Sequence, residues 1–146
     1  MYDHILIATD GSEYSGQAVG EGARLAKALG AKVTIVTAAQ TAAPIIVEGS
    51  IVGPDLQERQ EDARSRANSF LEAAADIAAK LGVKVGTECV LDETPYDAII
   101  ETAKSQGCDL IVMASHGRSG LTALLLGSET QKVLTHSTIP VLVHRS

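Results

Sequence analysis

The sequence predicts an α/β fold, a single open, mostly parallel five-stranded sheet with helices on both faces. Three observations predict it. Five short apolar or β-branched runs alternate with four segments in which apolar or small residues recur every three to four positions, as strands and helices do when they alternate. The runs Ile5-Leu6-Ile7-Ala8 and Leu110-Ile111-Val112-Met113 lack polar alternation, which is the mark of parallel strands buried on both faces. The length of 146 residues supplies one substantial core and falls short of two, so residues 1–146 are expected to form one domain.

Taken in order, the first strand runs from about His4 to Thr9 and is central by its continuous apolarity. Asp10-Gly11-Ser12-Glu13 turns into a helix whose inward positions are Ala18, Gly22, Leu25, Ala26 and Leu29, with Gly30 as the stop. Val33 to Thr37 is the second strand, rich in β-branched residues, and the pair forms a βαβ unit with a right-handed crossover. Residues 40–54 have no clear period. They mix turn formers with Ile45, Ile46, Val47, Ile51 and Val52. Loops of this length are functional or mobile more often than not, so the segment is either a lid or partner surface, or an apolar cover packed over the sheet.

A long helix follows Pro54, from about Asp55 to Leu81, with a stripe of Leu56, Ala63, Ala67, Phe70, Leu71, Ala74, Ile77, Ala78 and Leu81. The charges at 58–66 read as its solvated face. Val83, Val85, Thr87 and Cys89 alternate with Lys84, Gly86 and Glu88, which predicts an edge strand wetted on one side. Thr94-Pro95-Tyr96-Asp97 is a helix start with an N-cap, proline at the first position and an acid at the third. Gly107 closes that helix before the strand at 110–113. The last helix carries Val133 and Leu134, and Pro140 opens the final strand, Val141-Leu142-Val143.

Composition narrows the function classes. Twelve Lys and Arg against eighteen Asp and Glu give a net charge of −6, which argues against nucleic acid or an anionic membrane as the main partner. No segment approaches the roughly 18 uninterrupted apolar residues of a membrane helix. The start at Asp3 and His4 lacks the basic and long apolar regions of a secretory signal, so a cytoplasmic location is expected. Cys89 and Cys108 match no metal or redox spacing and read as small buried residues.

The chemistry concentrates after the strand at 110–113, in Ala114-Ser115-His116-Gly117-Arg118-Ser119-Gly120, closed by Gly127-Ser128. Glycines at 117 and 120 let the backbone turn tightly and bring its N–H groups close to a ligand. Ser128 opens a helix, with Gln131 three residues on as a capping-box partner. A strand, a glycine-bearing loop and a helix N-terminus together form an anion cradle suited to phosphate. Ser128 as a plain helix cap is the competing reading.

The segment from Met113 to Arg145 resembles the C-terminal signature of the universal stress protein family, whose nucleotide-binding branch carries G-x2-G-x9-G-[S/T]. Here that pattern falls on Ala114, Gly117, Gly127 and Ser128, with Ala114 in place of the first glycine. The opening strand with Asp10-Gly11-Ser12 and the closing Pro140-Val141-Leu142-Val143 resemble the family's ends, so the resemblance spans nearly the whole chain. It implies a Rossmann-like strand order 3-2-1-4-5, which sets Asp10 opposite the loop at 114–120 across one crevice. By the same resemblance Ala8, Thr9 and Asp10 line the nucleoside side and Ala38 offers backbone contact to adenine. The phosphate end is formed by Ala114, Ser115, His116, Gly117, Arg118, Ser119, Gly120, Gly127, Ser128, Glu129 and Thr130.

The expected ligand is ATP, or ADP or AMP, with Mg2+ or Mn2+ on the phosphates and no metal ligands from the protein itself. Asp10 suits a ribose hydroxyl, since a carboxylate there accepts hydrogen bonds and repels phosphate; the competing reading makes it the cap of the first helix, with Glu13 completing the box. The lysine of G-x4-G-K-[S/T] is missing and His116 has no paired nucleophile, so no catalytic residue is assigned and hydrolysis is expected to be slow at most. The leading expectation is an adenine-nucleotide-binding stress-response or regulatory protein. The alternative is a protein-interaction module with a vestigial crevice, which takes an unknown partner through residues 40–54; a true phosphotransferase or hydrolase ranks last. The apolar final strand would leave an open edge, and the family pairs it across a two-fold axis, so a homodimer through Val141–Val143 is expected.

Overall fold

The computed structural model describes residues 1–117 and 126–145. Its main sheet contains β1 (His4–Ala8), β2 (Lys32–Ala39), β5 (Gly86–Leu91), β6 (Leu110–Ala114) and β7 (Val141–His144), all parallel, in the order β5-β2-β1-β6-β7. Numbered among themselves, these five strands stand in the order 3-2-1-4-5 that the resemblance implied. The chain steps outward from β1 through β2 to β5, then crosses back to place β6 on the other side of β1. The switch point is therefore between the two strands whose sequences lack polar alternation.

Period-two alternation along the strands sorts the core into two layers. Ile5, Ile7, Val33, Ile35, Leu110 and Val112 face one side and pack with Val19 and Ala26 of α1 (Glu13–Leu29) and with Leu71 and Ala74 of α2 (Leu56–Lys80). Leu6, Ala8, Val36, Ile111 and Met113 face the other side. They meet Ile99, Ile100 and Ala103 of α3 (Pro95–Ser105) and Val133 of α4 (Ser128–His136). Helices thus cover both faces, and alanines at Ala63, Ala67, Ala74 and Ala78 let α2 lie close to the sheet. Leu56 and Leu29, expected inward, are exposed at the helix ends, and Leu134 of the last helix is exposed as well.

Several local expectations are corrected. The first helix is capped by Ser12, whose hydroxyl accepts from the Ser15 N–H at 3.1 Å, and not by Asp10 with Glu13. Asp10 acts one step earlier, its Oδ1 accepting the Ser12 N–H at 3.0 Å to set the turn. Ser128 is the first helical residue of α4 rather than its cap; Gly127 holds the cap position, and the Gln131 amide donates to the Leu126 carbonyl at 2.9 Å. The edge strand begins at Gly86 instead of Val83, because only Gly86 to Leu91 finds partners on β2. Thr94 takes the cap position of α3 without a side-chain bond.

Residues 40–54 contain a hairpin, β3 (Ile45–Val47) and β4 (Ser50–Val52), paired Ile45 to Val52, Ile46 to Ile51 and Val47 to Ser50. Its two-residue turn, Glu48-Gly49, has φ of 50° and 78°, the left-handed pair that matches strand twist. Ile46 and Ile51 are 64% and 66% exposed, so the hairpin does not cover the sheet. No helix among the described residues is long and apolar enough to cross a membrane.

Candidate functional site

At the switch point the C-terminal ends of β1 and β6 diverge, and a cleft of about 310 Å3 opens beyond them. Its floor is apolar: Ala8 from β1, Val36 and Ala38 from β2, Met113 and Ala114 from β6, and Ile99 from α3. Its rim is polar, with Thr9 and Asp10 on one side, and His116, Gly117 and the start of α4 on the other.

Backbone closure builds the α4 side. The Gly127 N–H donates to the Ser115 carbonyl at 2.6 Å, which joins the two ends of the loop, and the Thr130 hydroxyl donates to the Ala114 carbonyl at 2.9 Å. These bonds pin the N-terminus of α4 to the end of β6. A side chain at 127 would bring its Cβ to 3.2 Å from the Ser115 carbonyl oxygen, so only glycine permits this approach without a shift. Gly127 also supplies no side-chain cap. The first N–H groups of α4 have no intrahelical acceptor, and among the described residues no side chain caps them, which makes this the kind of helix end that accepts an anion. This is a site that fits a phosphate.

The β1 side is fixed by short polar links. The Thr9 and Ser15 hydroxyls hydrogen-bond at 3.0 Å, and the Gly11 N–H donates to Thr9 Oγ1 at 3.2 Å. Asp10 Oδ2 packs against Gly117 where a β-carbon would otherwise stand. A carboxylate on this rim, above an apolar floor, suits the hydroxyls of a sugar whose base lies inward.

Of the residues expected from sequence, Ala8, Thr9, Asp10, Ala38, Ala114, His116, Gly117, Gly127, Ser128, Glu129 and Thr130 line the cleft together. Ser115 does not; it is buried, and its carbonyl serves the loop closure. Arg118, Ser119 and Gly120 lie outside the described residues. The sequence reading missed Ser15, Val36, Thr37, Gln40, Pro95, Ile99 and Met113. Val36, Thr37 and Gln40 flank Ala38 at one strand end, so their position was a usable signal. Pro95 and Ile99 arrive from another helix, and nothing local announces them.

His116 is 5% exposed, its ring stands edge-on to Tyr14 at 5.2 Å, and its Nδ1 has no hydrogen-bond partner among the described residues. Glu129 is held by two neighbours, Oε2 accepting the Tyr96 N–H at 2.9 Å and Oε1 lying 3.3 Å from Lys132 Nζ. Among the described residues no group of three His, Cys, Asp or Glu side chains is placed to hold a metal. The cysteines lie off the cleft. Burial, helped by the Asp109 charge, pushes the Cys108 thiol up to about 11, and Cys89 is half-buried rather than buried.

The chain and its fold have known counterparts. The universal stress protein family profile matches residues 1–145. Universal stress protein YxiE of Bacillus subtilis (strain 168) is 34% identical, over 99% of this chain and 100% of the relative. Among solved structures, a universal stress protein in complex with cAMP superposes with a TM-score of 0.72 at 30% identity, covering 99% of each chain. The fold also matches universal stress protein UspA from Lactobacillus plantarum, with a TM-score of 0.82 at 24% identity over 99% of this chain and 98% of that one. With the family match spanning the same strands, loop and helix that build the cleft, the chain belongs to the universal stress protein family.

Proposed function

We propose that this protein is a stress-response or regulatory module that binds an adenine nucleotide in the switch-point cleft, with ATP, ADP or AMP as the ligand class. The observation that carries the reading is the start of α4, where Gly127 leaves the helix N-terminus without a side-chain cap, opposite Asp10 across an apolar floor. The base would lie over Ala8, Val36 and Ala38, the ribose against Asp10, and the phosphates at Gly127 and Ser128. The relative solved with cAMP supports an adenine nucleotide here by similarity. Mg2+ or Mn2+ would enter on the phosphates, which supply the oxygen ligands these ions need.

In this reading the protein holds its ligand and turns it over slowly at most. The cleft's described lining offers no lysine to stabilise a transferring phosphoryl group, and among the described residues the Nδ1 of His116, beside the Tyr14 ring, has no hydrogen-bond partner. Calorimetric titration of extensively dialysed protein with ATP and Mg2+ is expected to show saturable binding. Its absence for ATP, ADP and AMP alike would overturn the reading.

Two further parts of the proposal are that residues 1–146 act as one domain in the cytoplasm and that two copies pair through β7. Among the described residues Val141 to His144 pairs only with β6, and Leu142 is 39% exposed, which favours pairing of the outer edge with a second copy. Leu142→Arg should shift light scattering from dimer to monomer. A wild-type monomer at micromolar concentration would refute the pairing. The exposed apolar hairpin favours a second reading, in which β3 and β4 take a protein partner; that partner should then bind equally well whether or not nucleotide is present.

A further inference from the structure

We propose that Gln40 reads the base in the cleft and selects a 6-aminopurine, as in AMP, over a 6-oxopurine, as in inosine monophosphate (IMP). This rests on the adenine-nucleotide reading above and adds to it the side chain that recognises the base edge. Gln40 follows β2 directly, two positions beyond Ala38, and Val36, Ala38 and Gln40 all line the cleft. Strand side chains at that spacing share a face, so the apolar floor for the base ends in one amide.

The amide is oriented by what lies beside it. Gln40 Nε2 donates to the Glu93 carbonyl at 3.3 Å. A carbonyl only accepts, so the nitrogen must turn toward Glu93 and Oε1 away from it. Flipping the amide would set two acceptor oxygens against each other. The turn that carries this carbonyl is tied down on both sides of Gln40: the Asp92 N–H donates to the Ala39 carbonyl at 3.2 Å, and the Thr41 N–H donates to Glu93 Oε1 at 2.9 Å. Within the turn the Thr94 N–H donates to Asp92 Oδ1 at 2.8 Å, and Pro95, the next residue, is itself on the cleft wall.

Among the described residues Gln40 Oε1 makes no hydrogen bond, and Nε2 keeps a second proton. An acceptor and a donor side by side match the exocyclic amine of adenine and a ring nitrogen next to it, the pairing by which glutamine reads adenine in nucleic acids. A 6-oxopurine presents an oxygen where the amine stood. Against a fixed Oε1 this places acceptor on acceptor, and the flip that would relieve it loses the bond to Glu93. The selectivity acts on the base edge alone and does not depend on how the phosphates are held.

The test is calorimetric titration of two pairs, AMP with IMP and ATP with inosine triphosphate, into the wild type, Gln40→Met and Glu93→Ala. The wild type should bind the amino member at least about tenfold tighter than the oxo member, and Gln40→Met, which keeps the length and loses the amide, should narrow that ratio about tenfold by weakening the amino member alone. Glu93→Ala frees the Thr41 N–H from the turn and should narrow the ratio in the same direction by about threefold. Gln40 and Glu93 are both exposed, so neither change threatens the fold. A wild type that binds amino and oxo members equally, or a ratio that Gln40→Met leaves unchanged, would overturn the proposal and leave the nucleotide reading standing. Failure of the wild type to bind any adenine nucleotide would overturn both.

Discussion

The switch-point cleft and the β3–β4 hairpin are made of the same materials, short apolar segments and a glycine turn following a strand of the main sheet, yet they end in opposite states. Ala8, Met113 and Ala114 are buried, because helices lie on both faces of β1 and β6 and the loop folds back through the bond between Gly127 and Ser115. Ile45, Ile46, Val47, Ile51 and Val52 are 40–66% exposed, because among the described residues β3 and β4 pair with no strand but each other. A two-stranded hairpin is marginal alone in water. The difference teaches that an apolar run becomes a floor only when the sheet places other elements over it.

The largest effect that would sharpen this contrast is in the support beneath the cleft. Ile111, fully buried in β6, should cost about 2–5 kcal/mol when changed to alanine, measured by denaturant unfolding. A cost under about 0.5 kcal/mol would mean that the cleft is no better packed than the hairpin. Next, Gly127→Val places a branched side chain against the Ser115 carbonyl and into the open helix end. It should weaken nucleotide binding by about a hundredfold, or about 2.7 kcal/mol. The matched change in the hairpin, Gly49→Val, should leave nucleotide affinity unaltered.

Asp10→Ala removes the rim carboxylate and the Ser12 N–H acceptor, and should lower nucleotide affinity by roughly tenfold, as loss of a charged hydrogen-bond acceptor predicts. A smaller contrast comes from Ile46→Lys combined with Ile51→Lys. Both side chains are mostly in water, so stability should change by about 0.5 kcal/mol or less, while binding of an apolar dye falls. A loss above about 2 kcal/mol would show that the hairpin packs on the body after all.

The smallest effect lies at the base of the sheet. The N–H groups of Asp3 and His4 donate to the Asp109 carboxylate, at 2.9 Å and 3.0 Å for the shorter contacts, and hold its pKa below the ordinary value of 3.8. A carboxyl lowered in the folded state contributes stability above its unfolded pKa and loses it as pH falls through the folded one. Asp109→Asn should therefore lower stability at pH 7, where the contribution is fully present, and flatten the acid limb below about pH 4, where the wild type loses it. An unaltered acid limb would remove Asp109 from that role.

The sequence was legible wherever one short-range rule dominated. Continuous apolarity marked β1 and β6 as central, the stripe over 56–80 marked α2, and the spacing of Gly117, Gly127 and Ser128 marked residues that line one cleft. It misled where two local rules competed. Ser128 had a capping pattern, but the backbone bond from Gly127 to Ser115 moved the cap back by one residue. Thr94 had one too, yet the N–H of Tyr96 is taken by Glu129, thirty-three positions away. The period of residues 40–54 was hidden because three-residue strands are too short to display alternation.

What the sequence determined by itself was the five strands of the main sheet, the four helices and the class of the fold, since these follow from periodicity within a few residues. The tertiary structure alone decided that Pro95 and Ile99 wall the cleft, that Glu129 on its lining accepts the Tyr96 N–H, and that the hairpin residues stay mostly exposed. Those outcomes depend on contacts between elements far apart in the chain. Periodicity says which face of an element is apolar, and only packing says what meets it.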